Sequence, residues 1–422
     1  MRKVYGLEQL SNVINGTINR KLPHVLYLPF FTFCFFPWSE VLPTGTNLQP
    51  YSLLYGCFIL FISQKNKIYK NTIYPLILVI IGIVFLFIDG FSFSALRSLM
   101  NYISFTVIYM VSIQYFINYN SEKIKFMLYV TISIWFLVGL IQSFFIPSFM
   151  YFFIPAASLF KSVDSEMLKF TGRGVLGLAA EPTYHAMHMY ALLLLFFFTH
   201  SEIIKKKVYL FMILISITLI SKSTSVYIIL MGLILIYLIL NFSVRSAFLL
   251  ISPLFLIFIG LKLDQLNNLR FFHLLDSFIS DPIYLIQTAK SVNDRLGTLF
   301  LSHVSFIYKA GLPGGFGTWE IFSKELMQKF EFITHITAGD SRIHSNSGSV
   351  IYEYGVLSIL YFLTFYNSKA KSSFLDINKK LSYYGLFLLI PFAIPVAYPV
   401  IPIILGFHYA YNLQSKYKCN FS

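Results

Sequence analysis

Arg173, Glu181, Tyr184, His185 and His188 fall in one stretch, GRGVLGLAAEPTYHAMHMYALLLLFFF (172–198), that begins polar and ends as an oily helix. Arginine grips phosphate oxygens in a fork and keeps its charge. Glutamate and histidine can move protons. Glu181, Tyr184, His185 and His188 follow the i, i+3, i+4, i+7 spacing that predicts one helical face. A helix over this stretch sets Arg173 about 12 Å from Glu181 along its axis. A carboxylate inside a membrane costs about 2.5–3.5 kcal/mol, so Glu181 has to face protein or a wet cavity. Pro182 loosens the backbone beside it. Three readings fit: a buried polar cluster that fixes helix packing, a metal site of Glu181, His185 and His188, and a catalytic or substrate-binding cavity.

Two further stretches carry similar residue types. NDRLGTLFLSHVSFIYKAGLPGGFGTWE (293–320) starts with Asn293 and Arg295, runs as an amphipathic helix over 294–309, and ends in the glycine-rich turn 311–317. Glycines let a backbone approach a ligand closely, but no Gly-Lys-Ser/Thr follows, so this is not a nucleotide-binding P-loop. RIHSNSGSVIYEYGVLSILYF (342–362) sets Arg342 and His344 before an apolar run that contains Glu353 and Gly355. Asp89 and Arg97 flank another turn, as a simple ion pair or a functional one.

The elements that position these residues follow from composition. The chain has 422 residues, 57% hydrophobic and 12% charged. Soluble domains are about a quarter charged, so one aqueous core cannot hide this much oil. The fold class expected is an all-α polytopic membrane protein. Apolar runs predict twelve spans, at 23–37, 50–63, 72–88, 95–117, 126–146, 175–199, 208–221, 224–241, 246–262, 348–367, 381–393 and 396–411. The last two can also be one kinked or re-entrant segment, since Pro391, Pro395, Pro399 and Pro402 crowd there. The net charge of +14 does not indicate nucleic acid, because the basic residues sit in short clusters between apolar runs. Cys34, Cys57 and Cys419 are too scattered for a disulfide framework or a metal motif. A polar N-terminal segment precedes the first apolar run, which serves as its own insertion signal.

Lysine and arginine in short loops set orientation. Arg20, Lys21, Lys65, Lys67, Lys70, Lys123, Lys125, Lys205 to Lys207, Lys369, Lys371, Lys379 and Lys380 fall on one side, which puts both termini in the cytoplasm. The chain then divides into an N-terminal transmembrane bundle (1–262), a large periplasmic loop with short helices (263–346), and C-terminal transmembrane helices with a cytoplasmic tail (347–422).

The order of these motifs resembles the O-antigen polymerase and ligase superfamily: Arg, then Glu-Pro, then Asn-Asp-Arg before a glycine turn, then His-Ser-Asn before Glu-x-Gly. The resemblance covers about 172–362 and the topology of many spans with one large outer loop. RGVLGLAAEPTYHA (173–186) is similar to the polymerase branch, with Thr183 where serine is common. The resemblance implies an enzyme of the bacterial inner membrane that joins repeat units carried on undecaprenyl pyrophosphate at the periplasmic face. It implies as partners a chain-length regulator and a flippase, and no cofactor. Under it, Arg173 and Arg295 clamp the leaving pyrophosphate and Arg342 adds to them. His344 or Glu181 takes the acceptor proton. Tyr184, His185, His188, Arg97 and Asn293 line the substrate. No Asp-x-Asp occurs in the chain, so neither a metal nor a nucleotide-sugar donor is expected. The alternatives are a ligase that moves finished polymer to lipid A-core, another lipid-linked glycan polymerase, and a flippase. Transporters commonly show repeated halves, and no internal repeat is visible here.

Overall fold

The computed structural model describes residues 22–42, 46–63, 68–119, 121–156, 158, 174–200, 207–241, 276–277, 279–281, 284, 290–329, 343–369, 376–392 and 394–419, with the backbone alone at 89, 121, 290–296, 327 and 416–419. Among the described residues every regular element is helical. The first five helices are α1 (Leu28–Phe35), α2 (Tyr51–Ile62), α3 (Ile73–Asp89), α4 (Phe93–Asn118) and α5 (Ser121–Phe144). Then come α6 (Pro182–Thr199), α7 (Lys207–Ile215, continued by a π turn Ser216–Ile220) and α8 (Thr224–Leu240). The remainder are α9 (Lys290–Tyr308), α10 (Trp319–Lys329), α11 (Asn346–Tyr354), α12 (Ile359–Ser368), α13 (Ile377–Leu389) and α14 (Val400–Cys419). The expected span 246–262 lies outside the described residues.

Among the described residues four segments are long and apolar enough, by length and composition, to cross a membrane: Lys70–Ile88, Phe93–Asn118, Glu122–Phe144 and Asn346–Ser368. The surface agrees with that. Ile80, Ile83 and Phe87 are exposed along α3, and Phe126, Val130, Ile134 and Leu137 along α5. Each set recurs at helical spacing and forms an apolar stripe that water would not tolerate but lipid does. The chain is a helical membrane-embedded protein.

The centre is α6. Its leucines and all its phenylalanines except the partly buried Phe197 are buried, as expected of a helix apolar all round. Around it pack α5, α7, the π turn, α8, α13 and α14. At its far end His200, its carbonyl receiving Asn378 Nδ2 at 3.1 Å, meets the start of α13. There Lys123, Lys369 and Lys379 stand over the rings of Tyr119, Tyr384 and Tyr411. Lysine with tyrosine at helix ends suits a membrane–water interface.

Two features depart from simple spans. The segment 346–368 is not straight. Tyr361 Oη donates to Asn346 Oδ1 at 2.8 Å, whereas a continuous helix would separate these residues by about 22 Å. The chain folds back at Gly355, whose φ of 56° and ψ of −131° no helix contains. A side chain there would collide with the Gly311 carbonyl at 2.2 Å. The expected span 348–367 is therefore a bent pair, α11 and α12. The second feature is α13 and α14. His408 Nε2 and Ser382 Oγ lie 3.2 Å apart across them, and each helix runs to the proline-rich connection 390–399. At about 1.5 Å per residue, α13 rises only about 20 Å, well short of a 30 Å hydrocarbon core. Of the two readings of 381–411, the structure has separate helices that turn back within the bundle.

Candidate functional site

The helix expected over 175–199 begins only at Pro182. Proline suits the first helical position and forces the residue before it out of the helical region. Glu181 is accordingly extended, with φ −148° and ψ 153°, and is the N-cap of α6. Residues 174–181 are a loop, and Glu181 stands before the face that carries Tyr184, His185 and His188; the expected spacing to Arg173 involves a residue outside the described ones.

That loop is fixed from several sides. Gln142 on α5 pairs with Gly177 twice: Nε2 donates to the Gly177 carbonyl at 2.8 Å, and Oε1 accepts from the Gly177 N–H at 2.7 Å. The same Nε2 also donates to the Phe149 carbonyl at 2.8 Å. Gly177 has a φ of +61°, and a Cβ there would lie 1.9 Å from His185 Nδ1. Val175 N–H donates to the Ile220 carbonyl at 3.1 Å. Ser158 Oγ donates to the Ala180 carbonyl at 2.6 Å. Glu181 is thus delivered, half-buried, at the mouth of α6, where the helix dipole favours a negative charge by about 0.3–1 kcal/mol.

One turn deeper is a closed aromatic box. Trp38 stacks on Tyr184 at 5.5 Å and on Tyr398 at 5.5 Å between ring centres. Tyr398 Oη and His188 Nδ1 are 2.7 Å apart. Trp135 meets His188 at 4.5 Å and His185 edge-on at 5.4 Å, and its indole N–H donates to the Phe35 carbonyl at 3.1 Å. His188 Nε2 faces that same occupied carbonyl and has no partner of normal geometry. Neither ring nitrogen of His185 has one, beyond an approach to the Leu176 backbone. Both histidines have no exposed surface. His185 and His188, expected to line the substrate, pack against Trp135, and His185 also against the Gly177 loop. Among the described residues no group of His, Cys, Asp or Glu is arranged to hold a metal ion, so Glu181, His185 and His188 do not form one.

The third motif is built by α9 and α11, which run side by side in the same direction. His344 N–H donates to Thr298 Oγ1 at 3.2 Å, and Gly348 presses on Ser302 one turn along both helices. Ser345 caps α11, its Oγ accepting from Gly348 N–H at 3.1 Å. Arg295 and Asn293 sit on the turn of α9 just before Thr298. Their backbone therefore lies roughly one turn beyond the level of His344, which is half-buried. The glycine-rich turn is a structural joint. Gly314 N–H donates to the Tyr352 carbonyl at 2.7 Å and Val356 N–H to the Gly311 carbonyl at 2.8 Å. Phe316 inserts between α3 and α4, stacking on Tyr102 at 5.9 Å. Tyr102 Oη in turn donates to Glu353 at 2.5 Å.

The connection 390–399 joins the two motifs. Asn346 and Ser347 N–H donate to the Phe392 and Ile390 carbonyls at 3.3 and 3.0 Å. Asn346 Nδ2 reaches the Pro395 carbonyl at 3.4 Å. Three residues on, Tyr398 enters the aromatic box below Glu181. Glu181 and His344 therefore share one end of the bundle. Arg97 is exposed on α4, near the glycine-rich turn. Arg173 and Arg342 lie outside the described residues.

Trp38, Glu40, Gln142 and Tyr398 were not among the residues expected from the sequence, and Asn346 entered only as part of the His-Ser-Asn motif. Glu40 is a buried carboxylate at the same end, accepting from Ala156 N–H at 2.5 Å. A signal existed for two of them: Glu40 lies just past a predicted span, and Gln142 is an amide inside an oily run. Comparison with protein families, characterised proteins and solved structures returns no match.

Proposed function

We propose that the chain polymerises lipid-linked oligosaccharide repeat units, as an O-antigen polymerase of the bacterial inner membrane working at the periplasmic face. The observation that supports this best is the convergence just described. Two motifs more than 150 residues apart in the sequence, at Glu181 and His344, meet at one end of a membrane bundle, with the Arg295 turn beside the second. In the proposed reaction the bond from the sugar's anomeric carbon to pyrophosphate breaks, and the pyrophosphate keeps the electron pair. A hydroxyl of the incoming unit forms the new bond, and its proton passes to Glu181 or His344. Arg173, Arg295 and Arg342 hold the leaving pyrophosphate; charge placed ahead of the reaction in this way is usually a large catalytic effect. The transition state has oxocarbenium character, as in other glycosyl transfers.

The proposal includes cytoplasmic termini, and functional partners in a chain-length regulator and a flippase. Neither cofactor nor metal is required. Activity of the purified protein that EDTA abolished and a divalent ion restored would contradict that last part. The overall reading is tested by a clean deletion in the native strain, with surface polysaccharide resolved on a silver-stained gel. A single core-plus-one-unit band in place of the ladder is expected. Polymer accumulating on its carrier would instead mean a ligase, and an unchanged ladder would end the enzymatic reading.

A further inference from the structure

The segment expected to be an aqueous loop ends in a surface that water does not suit. Ile307, Leu312, Val356 and Ile359 are 78%, 68%, 61% and 58% exposed. They form one patch. Gly311 follows α9 directly, its Cβ position lies 3.9 Å from Val356 Cβ, and Ile359 is the next turn on. The patch continues a lipid-facing flank, since α12 packs on α3 and Phe316 of the same turn meets Phe85 on α3 at 6.0 Å. Ile80, Ile83 and Phe87 of that flank are themselves exposed. At the patch edge Lys309, its carbonyl accepting from Leu312 N–H at 3.0 Å, holds its ammonium 4.3 Å from the Phe322 ring centre. None of the ion pairs among the described residues includes Lys309.

We propose that this patch is a lipid-docking surface. The end of α9 and its glycine-rich turn lie in the membrane leaflet at the Glu181 end. An acyl chain runs along Ile307, Leu312, Val356 and Ile359, and Lys309 holds the phosphate of a net-anionic phospholipid. A half-buried lysine above an apolar strip is complementary to such a molecule: the stem packs and the ammonium meets the headgroup. The surface does not depend on the polymerase reading, because it rests on exposure and on continuity with α3.

The test uses the full chain in nanodiscs. Cys57→Ser removes the exposed thiol and Cys419→Ser the one in the C-terminal segment, while Cys34 is buried and stays. Leu312→Cys and, for comparison, Glu320→Cys on exposed α10 are labelled with an environment-sensitive fluorophore. The Leu312 label should be quenched by brominated lipid and protected from aqueous iodide, with the reverse at Glu320. In mixed phosphatidylglycerol and phosphatidylethanolamine discs, brominating one lipid at a time reads the local composition. Enrichment of the anionic lipid should be about fivefold, the factor expected of one lysine at a charged lipid surface, and Lys309→Gln should remove it. Iodide quenching at Leu312 equal to that at Glu320 would overturn the surface. Equal quenching by the two lipids, with Lys309 present, would overturn the phosphate assignment.

Discussion

The two halves of the candidate site are built on different principles. Around α6, large rings fill the space: Trp38, Trp135, His188 and Tyr398 are all within 1% of full burial, and the Gly177 loop is clamped by one amide. Around α9 and α11 the structure is held by backbone joints and single hydroxyls, with half-buried His344 and an exposed apolar edge. The first half is close-packed and fixes Glu181 by shape. The second fixes His344 through a few directional contacts. Under the proposed function the site admits a large lipid-linked substrate, and one rigid wall with one wall that can shift suits that; the sequence distance between the two lets each be built separately.

Substitutions can break or sharpen this contrast. The largest effect is expected at the two glycine positions. Gly177→Ala puts a methyl into His185, and Gly355→Ala into the Gly311 carbonyl. Each combines a left-handed backbone with overpacking and should cost about 3 kcal/mol or more, read as a lost thermal transition or low folded yield in detergent. If Gly177→Ala kept the wild-type transition, the α6 half would not be the rigid one. Next is Gln142→Ala, which strands the Gly177 N–H and two carbonyls and should cost about 3 kcal/mol. Gln142→Glu keeps the acceptor and should fall between. Tyr398→Phe removes only the partner of His188 Nδ1, for about 1–2 kcal/mol. The smallest is Ser345→Ala, which removes the α11 cap for about 1 kcal/mol. Its thermal midpoint should barely move. Repeat-unit transfer should fall more than stability does, because the cap sits beside His344. A Ser345→Ala variant with lowered stability and full transfer would reverse the assignment of the adaptable wall.

Much of the scaffold was legible in composition. Long apolar runs gave helices near the expected places, as at 95–117 and 126–146. Pro182 is visible too, but proline inside an apolar run reads equally as a loosened point in a span and as the first residue of a helix, which is what it is here. The fold-back at Gly355 was not legible, since a lone glycine in an oily run reads as tolerated; only the packing of the Gly311 carbonyl against it, 44 positions away in the chain, shows that a side chain has no room at the bend. Pairing across the fold was invisible for the same reason. Gln142 with Gly177, Trp38 with Tyr398, and Asn346 with Pro395 are long-range contacts that no local pattern encodes. The spacing grouped Glu181, Tyr184, His185 and His188 on one helical face; the last three lie on α6 and Glu181 precedes it, and spacing alone could not tell a lined cavity from a packed core.

The central claim is that Glu181 and His344 serve one transfer site together with Arg295. The most direct measurement complements the deletion strain with Glu181→Gln, His344→Ala and Arg295→Ala, confirms membrane insertion of each by immunoblot, and resolves the lipopolysaccharide. The account predicts that Arg295→Ala and at least one of the other two leave only the core-plus-one-unit band. A full ladder from Arg295→Ala, or from the Glu181→Gln and His344→Ala double variant, would contradict it.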